Sequence, residues 1–236
     1  MNLYGQSSPE NNPNTDYILS ANPLKECFYL RNTVTVEKSL LGKGLFISRK
    51  RKVLLVEIAE VEAYLFDDPA SHSFTGPTPR NWPMFETGGM CYVYLSYGIN
   101  FCMNVVTGPK GKGEAVLLRA AAPLLGIEIM QKNRGLTFIN SDRGIRNLLS
   151  GPGKITQALG IDLSFNGKQF DALDFKFIDL GRAYPDSQIW QTPRIGISRA
   201  KDLALRFCVK SSPWLSRRTG VLGTHTERNS KPHGHR

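Results

Sequence analysis

Val53-Leu54-Leu55-Val56-Glu57-Ile58-Ala59-Glu60-Val61-Glu62-Ala63-Tyr64 is an apolar run with carboxylates where a core strand should have none. Side chains of a strand alternate between faces, which predicts Leu54, Val56, Ile58, Glu60, Glu62 and Tyr64 on one side. The other side takes Val53, Leu55, Ala59, Val61 and Ala63, with Glu57 its only charge. Both faces are apolar enough to be buried, and a carboxylate in such a place needs a partner or a cavity. An isolated Glu pair is most simply a fraying strand end paired to Arg or Lys, because ion-pair networks also perturb carboxylates. The residues around the strand shift that balance toward a site.

Downstream of Tyr64 the periodicity is lost. Residues 65–89 carry Asp67, Asp68, Pro69, His72, Gly76, Pro77, Pro79, Pro83, Gly88 and Gly89. So long a loop inside one domain is usually functional. His72 is the only histidine outside the last dozen residues, in a loop suited to fold back on the carboxylates. Residues 91–95 and 100–106 read as a hairpin joined across Ser96-Tyr97-Gly98-Ile99. Its tip shows Tyr97 and Ile99 where polar residues are expected, which suits either a wedge or a tip packed on another loop. Residues 115–121 form a further strand, interrupted by Arg119, a cation that Glu62 could meet.

The remaining elements are read more coarsely. Residues 34–41 are expected to be a helix closed by Gly42 or Gly44, residues 45–48 a strand, and Arg49-Lys50-Arg51-Lys52 an exposed hairpin turn. Residues 123–132 read as an amphipathic helix. Residues 145–149 and 154–159 read as helical around Ser150-Gly151-Pro152-Gly153, where backbone N–H groups and Lys154 could hold a phosphate. Residues 170–180 and 194–209 read as strands, and Ser212-Pro213-Trp214 closes the fold. With no internal repeat or linker, one domain over residues 24–216 is expected. It lies between a flexible extension (1–23) and a basic tail (217–236).

Composition narrows the function. No apolar run reaches membrane-spanning length, and the polar N-terminus does not resemble a secretory signal. Cys27, Cys91, Cys102 and Cys208 form no CxxC pair, which reads as reduced thiols without a metal site. The net charge is +10, and from Arg199 onward nine Lys or Arg residues face only Asp202 and Glu227. That asymmetry points to a polyanion, nucleic acid first.

With these residues in hand, the chain resembles the alkyladenine (3-methyladenine) DNA glycosylase family. The motifs are Val61-Glu62-Ala63-Tyr64-Leu65, Ala70-Ser71-His72-Ser73, Thr78-Pro79-Arg80-Asn81, Met84-Phe85, Tyr92-Val93-Tyr94, Tyr97-Gly98, Phe101-Cys102-Met103-Asn104, Val116-Leu117-Leu118-Arg119-Ala120, Ser150-Gly151-Pro152 and Ser212-Pro213-Trp214. Each is weak alone; their shared order is the signal. The resemblance implies a mixed α/β (α+β) single domain around a curved antiparallel sheet with peripheral helices, like the C-terminal domain of formyltransferases.

It also implies roles. Glu62 matches the general base, with Arg119 and the Ile195 carbonyl as further ligands of the attacking water. Tyr64, His72, Tyr94, Asn104, Ala70 and Leu117 match the pocket of the flipped base, Asn104 disfavouring the amino group of guanine. Tyr97 with Ile99 matches the residue that fills the vacated stack from the minor groove of double-stranded DNA, and Arg80, Met84, Gly153 and Lys154 match phosphate contacts. The implied enzyme is a monomeric, monofunctional hydrolase. It needs no metal or cofactor and works in a bacterial cytoplasm at the nucleoid, or in a nucleus if the source is eukaryotic. Two other classes compete with it. A non-catalytic DNA binder has no need of Glu62 and Arg119, and a metal-dependent nuclease on Glu60 and Glu62 lacks an obvious third ligand.

Overall fold

Residues 20–49, 52–137, 141–210 and 212–217 are described by the computed structural model. Lys50 and Arg51 of the expected turn, and residues 1–19 and 218–236 of the expected extensions, lie outside them.

Two short helices, α1 (Glu26–Tyr29) and α2 (Thr33–Leu40), lead into β1 (Gly44–Arg49) and β2 (Lys52–Tyr64). Asn32 starts α2 by accepting the Val34 N–H at 3.0 Å. The strands β3 (Cys91–Ser96) and β4 (Asn100–Thr107) form the expected hairpin, and β5 (Glu114–Leu125) returns beside β2. Helices α3 (Ile127–Asn133), α4 (Asp142–Arg146) and α5 (Pro152–Leu159) follow. The chain then forms β6 (Asp171–Ala172), β7 (Phe175–Ile178), β8 (Ile189–Thr192) and β9 (Arg206–Val209). All nine strands join one curled antiparallel sheet in the order β3-β4-β5-β2-β1-β7-β6. β9 pairs with β2 beyond the end of β1, and β8 pairs with β9. The class is α+β, as expected.

The central strand departs from simple alternation. Register shifts fall between Ile58 and Glu60 and between Glu60 and Val61, leaving Ala59 of β2 and Arg119 of β5 as the extra residues. A bulge moves every later side chain to the other face. Leu54, Val56, Ile58 and Val61 therefore all enter the main core with α2, α3 and α5. Glu60 and Glu62 turn to the opposite face, so the expected single stripe from Leu54 to Tyr64 is divided in two. Leu54, Leu55, Val56, Ile58 and Val61 are at most 4 % exposed. Burying each contributes roughly 1.5–3 kcal/mol. Together they offset the cost, several kcal/mol per ion, of taking the two carboxylates out of water.

Other expectations need correction. The helix expected over 123–132 is strand as far as Leu125, because Val56 and Leu55 of β2 pair with Pro123 and Leu125. Gly126, at φ +82° and against the Val53 carbonyl, makes the corner before α3. The helix expected over 145–149 instead covers Asp142–Arg146, started by Ser141, whose hydroxyl accepts the Gly144 N–H. Residues 170–180 form the hairpin β6–β7 and not one strand. Of residues 194–209 only Arg206–Val209 is strand; Pro193 and Gly196 (φ +79°) break the earlier part into a loop, and β8 was not foreseen. Cys91, Cys102 and Cys208 are buried and Cys27 is exposed, all four as free thiols.

Candidate active site

Tyr64 at the end of β2 and Arg119 of β5 line one side of a cavity of about 810 Å³. Glu62 is fully buried just behind Tyr64, Arg119 and Ile195, which line that cavity. Its Oε1 accepts the Ile195 N–H at 2.7 Å; its Oε2 accepts Arg119 Nη1 at 3.2 Å and the Tyr64 hydroxyl at 3.1 Å. Burial pushes the Glu62 carboxyl above its ordinary range, with Arg119, the Ile195 N–H and the Tyr64 hydroxyl pulling the other way. A carboxylate made more basic than usual is suited to taking a proton.

Glu60 is bonded differently. Its Oε1 accepts Arg119 Nε at 3.0 Å, Arg206 Nε at 2.8 Å and Ser216 Oγ at 2.6 Å, and its Oε2 accepts the Ser216 N–H at 2.6 Å. Burial raises this carboxyl, but Arg206 and the Ser216 donors outweigh it, and the net shift is downward. Its oxygens are committed to donors, which argues against the two-carboxylate cation site of the nuclease reading.

Aromatic residues form the cavity wall. His72 meets Tyr94 edge-on with ring centroids 4.5 Å apart, and Tyr92 stacks on Tyr94 at 5.5 Å. The His72 Nδ1 lies 2.9 Å from the Tyr92 hydroxyl, and its carbonyl accepts Asn81 Nδ2 at 2.7 Å, which pins the loop. Burial, then the Arg80 charge, holds the imidazole below its usual pKa and so neutral at pH 7. Asn104 donates from Nδ2 to the Tyr92 carbonyl at 3.0 Å, and Leu117 and Ala70 complete the lining. The expected pocket residues thus come together, with Glu62 one layer beneath.

The hairpin tip stands at the cavity mouth. Tyr97 is 89 % and Ile99 76 % exposed, and Tyr97 adopts φ +49°. Arg80 is exposed nearby, 5.5 Å over the Tyr94 ring. Gly153 lies in the first turn of α5, and Lys154 bonds Asn147 Oδ1 and the Ser150 hydroxyl. Met84, matched to a phosphate contact, is buried in an apolar cluster with Tyr92, and its N–H donates to the Asn81 carbonyl at 2.9 Å.

Sequence reading missed several residues that build the site. Asp68 and Arg194 form a fully buried ion pair, and Arg194 Nη1 also donates to the Ala63 carbonyl at 2.9 Å. This pair ties the His72 loop and the Ile195 loop to the end of β2. Arg206 and Ser216, the partners of Glu60, were also unforeseen, as was Glu37 of α2, which lies on the core side of β2. Only the apolar surroundings of Arg194 and Glu37 in sequence hinted at their burial.

The sequence pattern of Methylpurine-DNA glycosylase (MPG) matches residues 27–213. The chain belongs to this family. Similar relatives bear the name "Putative 3-methyladenine DNA glycosylase". One from Methanoculleus marisnigri is 46 % identical, covering 83 % of this chain and 99 % of its own. One from Carboxydothermus hydrogenoformans is 41 % identical (81 % and 97 %), and one from Francisella tularensis 44 % identical (79 % and 94 %). The protein is therefore a DNA glycosylase, and DNA is its substrate. Among the described residues, no helix is long and apolar enough to cross a membrane.

Proposed function

We propose that this glycosylase is monofunctional: it extrudes a damaged purine from duplex DNA and hydrolyses the N-glycosidic bond with water activated by Glu62, leaving an abasic site. The substrate class is 3-methyladenine, 7-methylguanine, hypoxanthine and ethenoadenine. The observation that carries the reading is Glu62, buried and made more basic, directly behind an aromatic cavity of base-accommodating size.

The steps follow from the residues. Unstacking a base costs a few kcal/mol, and the Tyr97 ring, entering from the minor groove with Ile99, recovers part of it by stacking. The flipped base lies between Tyr64 on one side and His72 and Tyr94 on the other. Electron-poor alkylated purines gain there from electron-rich ring faces. The Asn104 amide disfavours the exocyclic amino group of guanine. Water reaches Glu62 by displacing the Tyr64 hydroxyl from Oε2, with Arg119 kept beside it as a second ligand of the water. The Ile195 carbonyl serves as a further ligand. Glu62 takes the proton, and its charge stabilises the cationic sugar of the transition state. Arg80, Gly153 and Lys154 face the phosphates of a duplex bound by a monomer, whereas Met84, buried and with its N–H donated to the Asn81 carbonyl, is left to the cavity wall.

Incubating a hypoxanthine-containing duplex with the protein in EDTA tests this. Alkali-labile sites at the lesion are expected. Binding without such sites indicates a non-catalytic binder, and cleavage abolished by EDTA indicates a nuclease; either result overturns the proposal.

A further inference from the structure

The layer beneath the cavity, the floor of the site, contains two carboxylates and two guanidinium groups, of which only Arg119 lines the cavity, and the charges are not shared evenly. Glu60 takes two charged donors, Arg206 Nε and Arg119 Nε, and both donors of Ser216, whereas Glu62 has one charged donor, Nη1 of Arg119, beside the neutral Ile195 N–H and Tyr64 hydroxyl. Arg119 is thus divided between the two, its Nε on Glu60 and its Nη1 on Glu62. Ser216 belongs to the segment after β9, residues 212–217, which lies across this cluster. Arg206 Nη2 donates to the Arg217 carbonyl at 3.3 Å, and Arg206 Nη1 to Thr192 Oγ1 at 2.9 Å. Glu60 is 0 % exposed, so the strap closes the cluster from solvent.

We propose that Glu60 is a positioning residue for excision: with the strap at Ser216 it holds Arg119 at a fixed division between two carboxylates and so sets how readily Glu62 takes a proton. This role rests on Glu62 acting as the general base. A guanidinium given wholly to Glu62 would keep it ionised but make it a poor base. One given wholly to Glu60 would leave Glu62 protonated in its buried site. The other groups acting around Glu62 are Tyr64 on β2, Cys102 on β4, Arg194 and the Ile195 N–H on the loop before β9, Cys208 on β9 and Glu37 on α2. Glu60 acts on Glu62 both as a like charge and through Arg119, while Ser216 acts through Glu60 and through Arg119, whose Nη2 donates to its hydroxyl at 3.5 Å.

The test is the pH dependence of single-turnover excision of hypoxanthine, with lesion-duplex binding measured alongside. Glu60→Gln removes the like charge beside Glu62 and releases Arg119 to it. The acid limb is expected to move about one pH unit lower, with the plateau rate reduced severalfold because the base is weaker. Ser216→Ala removes a donor from Glu60, which then draws Arg119 more strongly, so the limb moves a smaller distance upward. A merely structural role lowers the amount of folded enzyme and leaves both limbs at the wild-type position. Unmoved limbs in folded variants, or an upward shift in Glu60→Gln, overturn the proposal. If Glu60→Gln does not fold, the half-buried Ser216→Ala decides alone, an unmoved limb being the negative result. Glu62→Gln separates the two levels. If it is inactive and the limbs are unmoved, only the role of Glu60 fails; if it is active, the assignment of the base fails first.

Discussion

The floor and the tip of the site are built on opposite terms. On the floor, Glu60, Glu62, Asp68, Arg119, Arg194 and Arg206 are buried, and each carboxylate is met by named donors. At the tip, Tyr97 and Ile99 are open to water on a three-residue turn, with Tyr97 in a left-handed conformation that side chains resist. The floor has its stability and its chemistry in the same atoms. The tip is exposed and packs little, so its cost in backbone strain and exposed apolar surface points to a use outside the folded chain.

Four substitutions test that contrast, in descending order of effect. Glu62→Gln keeps the shape of the floor and loses its basicity. Single-turnover excision should fall by about 10²–10⁴ with lesion binding retained; residual wild-type rates would make Glu60 the candidate base. Asp68→Ala leaves Arg194 charged and unpaired in the interior, where a broken pair costs about 3–5 kcal/mol. Denaturant unfolding should show that loss, and a midpoint close to wild type would show that the floor is not where stability resides.

Glu37→Leu probes the layer behind the floor and should act in the other direction. Among the described residues neither Glu37 oxygen has a hydrogen-bond partner, and the Ala63 N–H toward it already donates to the Leu205 carbonyl at 2.9 Å. Burial, then the Glu62 charge, holds this carboxyl well above its ordinary pKa. A group with a raised folded pKa gives its full contribution below the unfolded value and loses it as pH rises toward the folded one. Wild type should therefore weaken with rising pH relative to Glu37→Leu. The variant should gain about 1–3 kcal/mol at neutral pH, read as a Tm difference that widens with pH. A constant difference would show that Glu37 does not titrate in that window.

Tyr97→Ala should have the smallest effect on the fold, within about ±0.5 kcal/mol by melting. Its defect should appear in excision, and more for a paired lesion than for one opposite an abasic gap, where less stacking is undone. A large stability loss with equal defects on both duplexes would make the tip structural.

What was legible in the sequence follows the range of the interactions. The β3–β4 hairpin, its apolar tip and the strand 53–64 are local patterns, and each stands where its residues predict. Two of the partners of Glu60, Arg206 and Ser216, lie 146 and 156 positions away, and nothing near them in sequence announces them. The bulges at Ala59 and Arg119 were invisible for the same reason, since they arise from pairing with β5 and not from any Gly or Pro in β2. Alternation put both glutamates on one face correctly but named the wrong companions. Residues 120–125 suit a helix or a strand equally, and only the neighbouring β2 decides between them.

The start of α5 is locked to the root of the β3–β4 hairpin. A Cβ at Gly153 would come within 2.7 Å of the Asn100 side chain, Thr156 Oγ1 donates to the Phe101 carbonyl at 2.8 Å, and Gln157 Nε2 to Asn100 Oδ1 at 2.9 Å. The two elements form a single joint, and a load applied to one is transmitted to the other. On the proposed reading, a DNA strand gripped at the Gly153 end would act as a fulcrum for the hairpin and set the depth and angle at which the Tyr97 ring meets the helix axis. Lengthening the side chain at position 153 would tilt that lever without touching either the ring or the base.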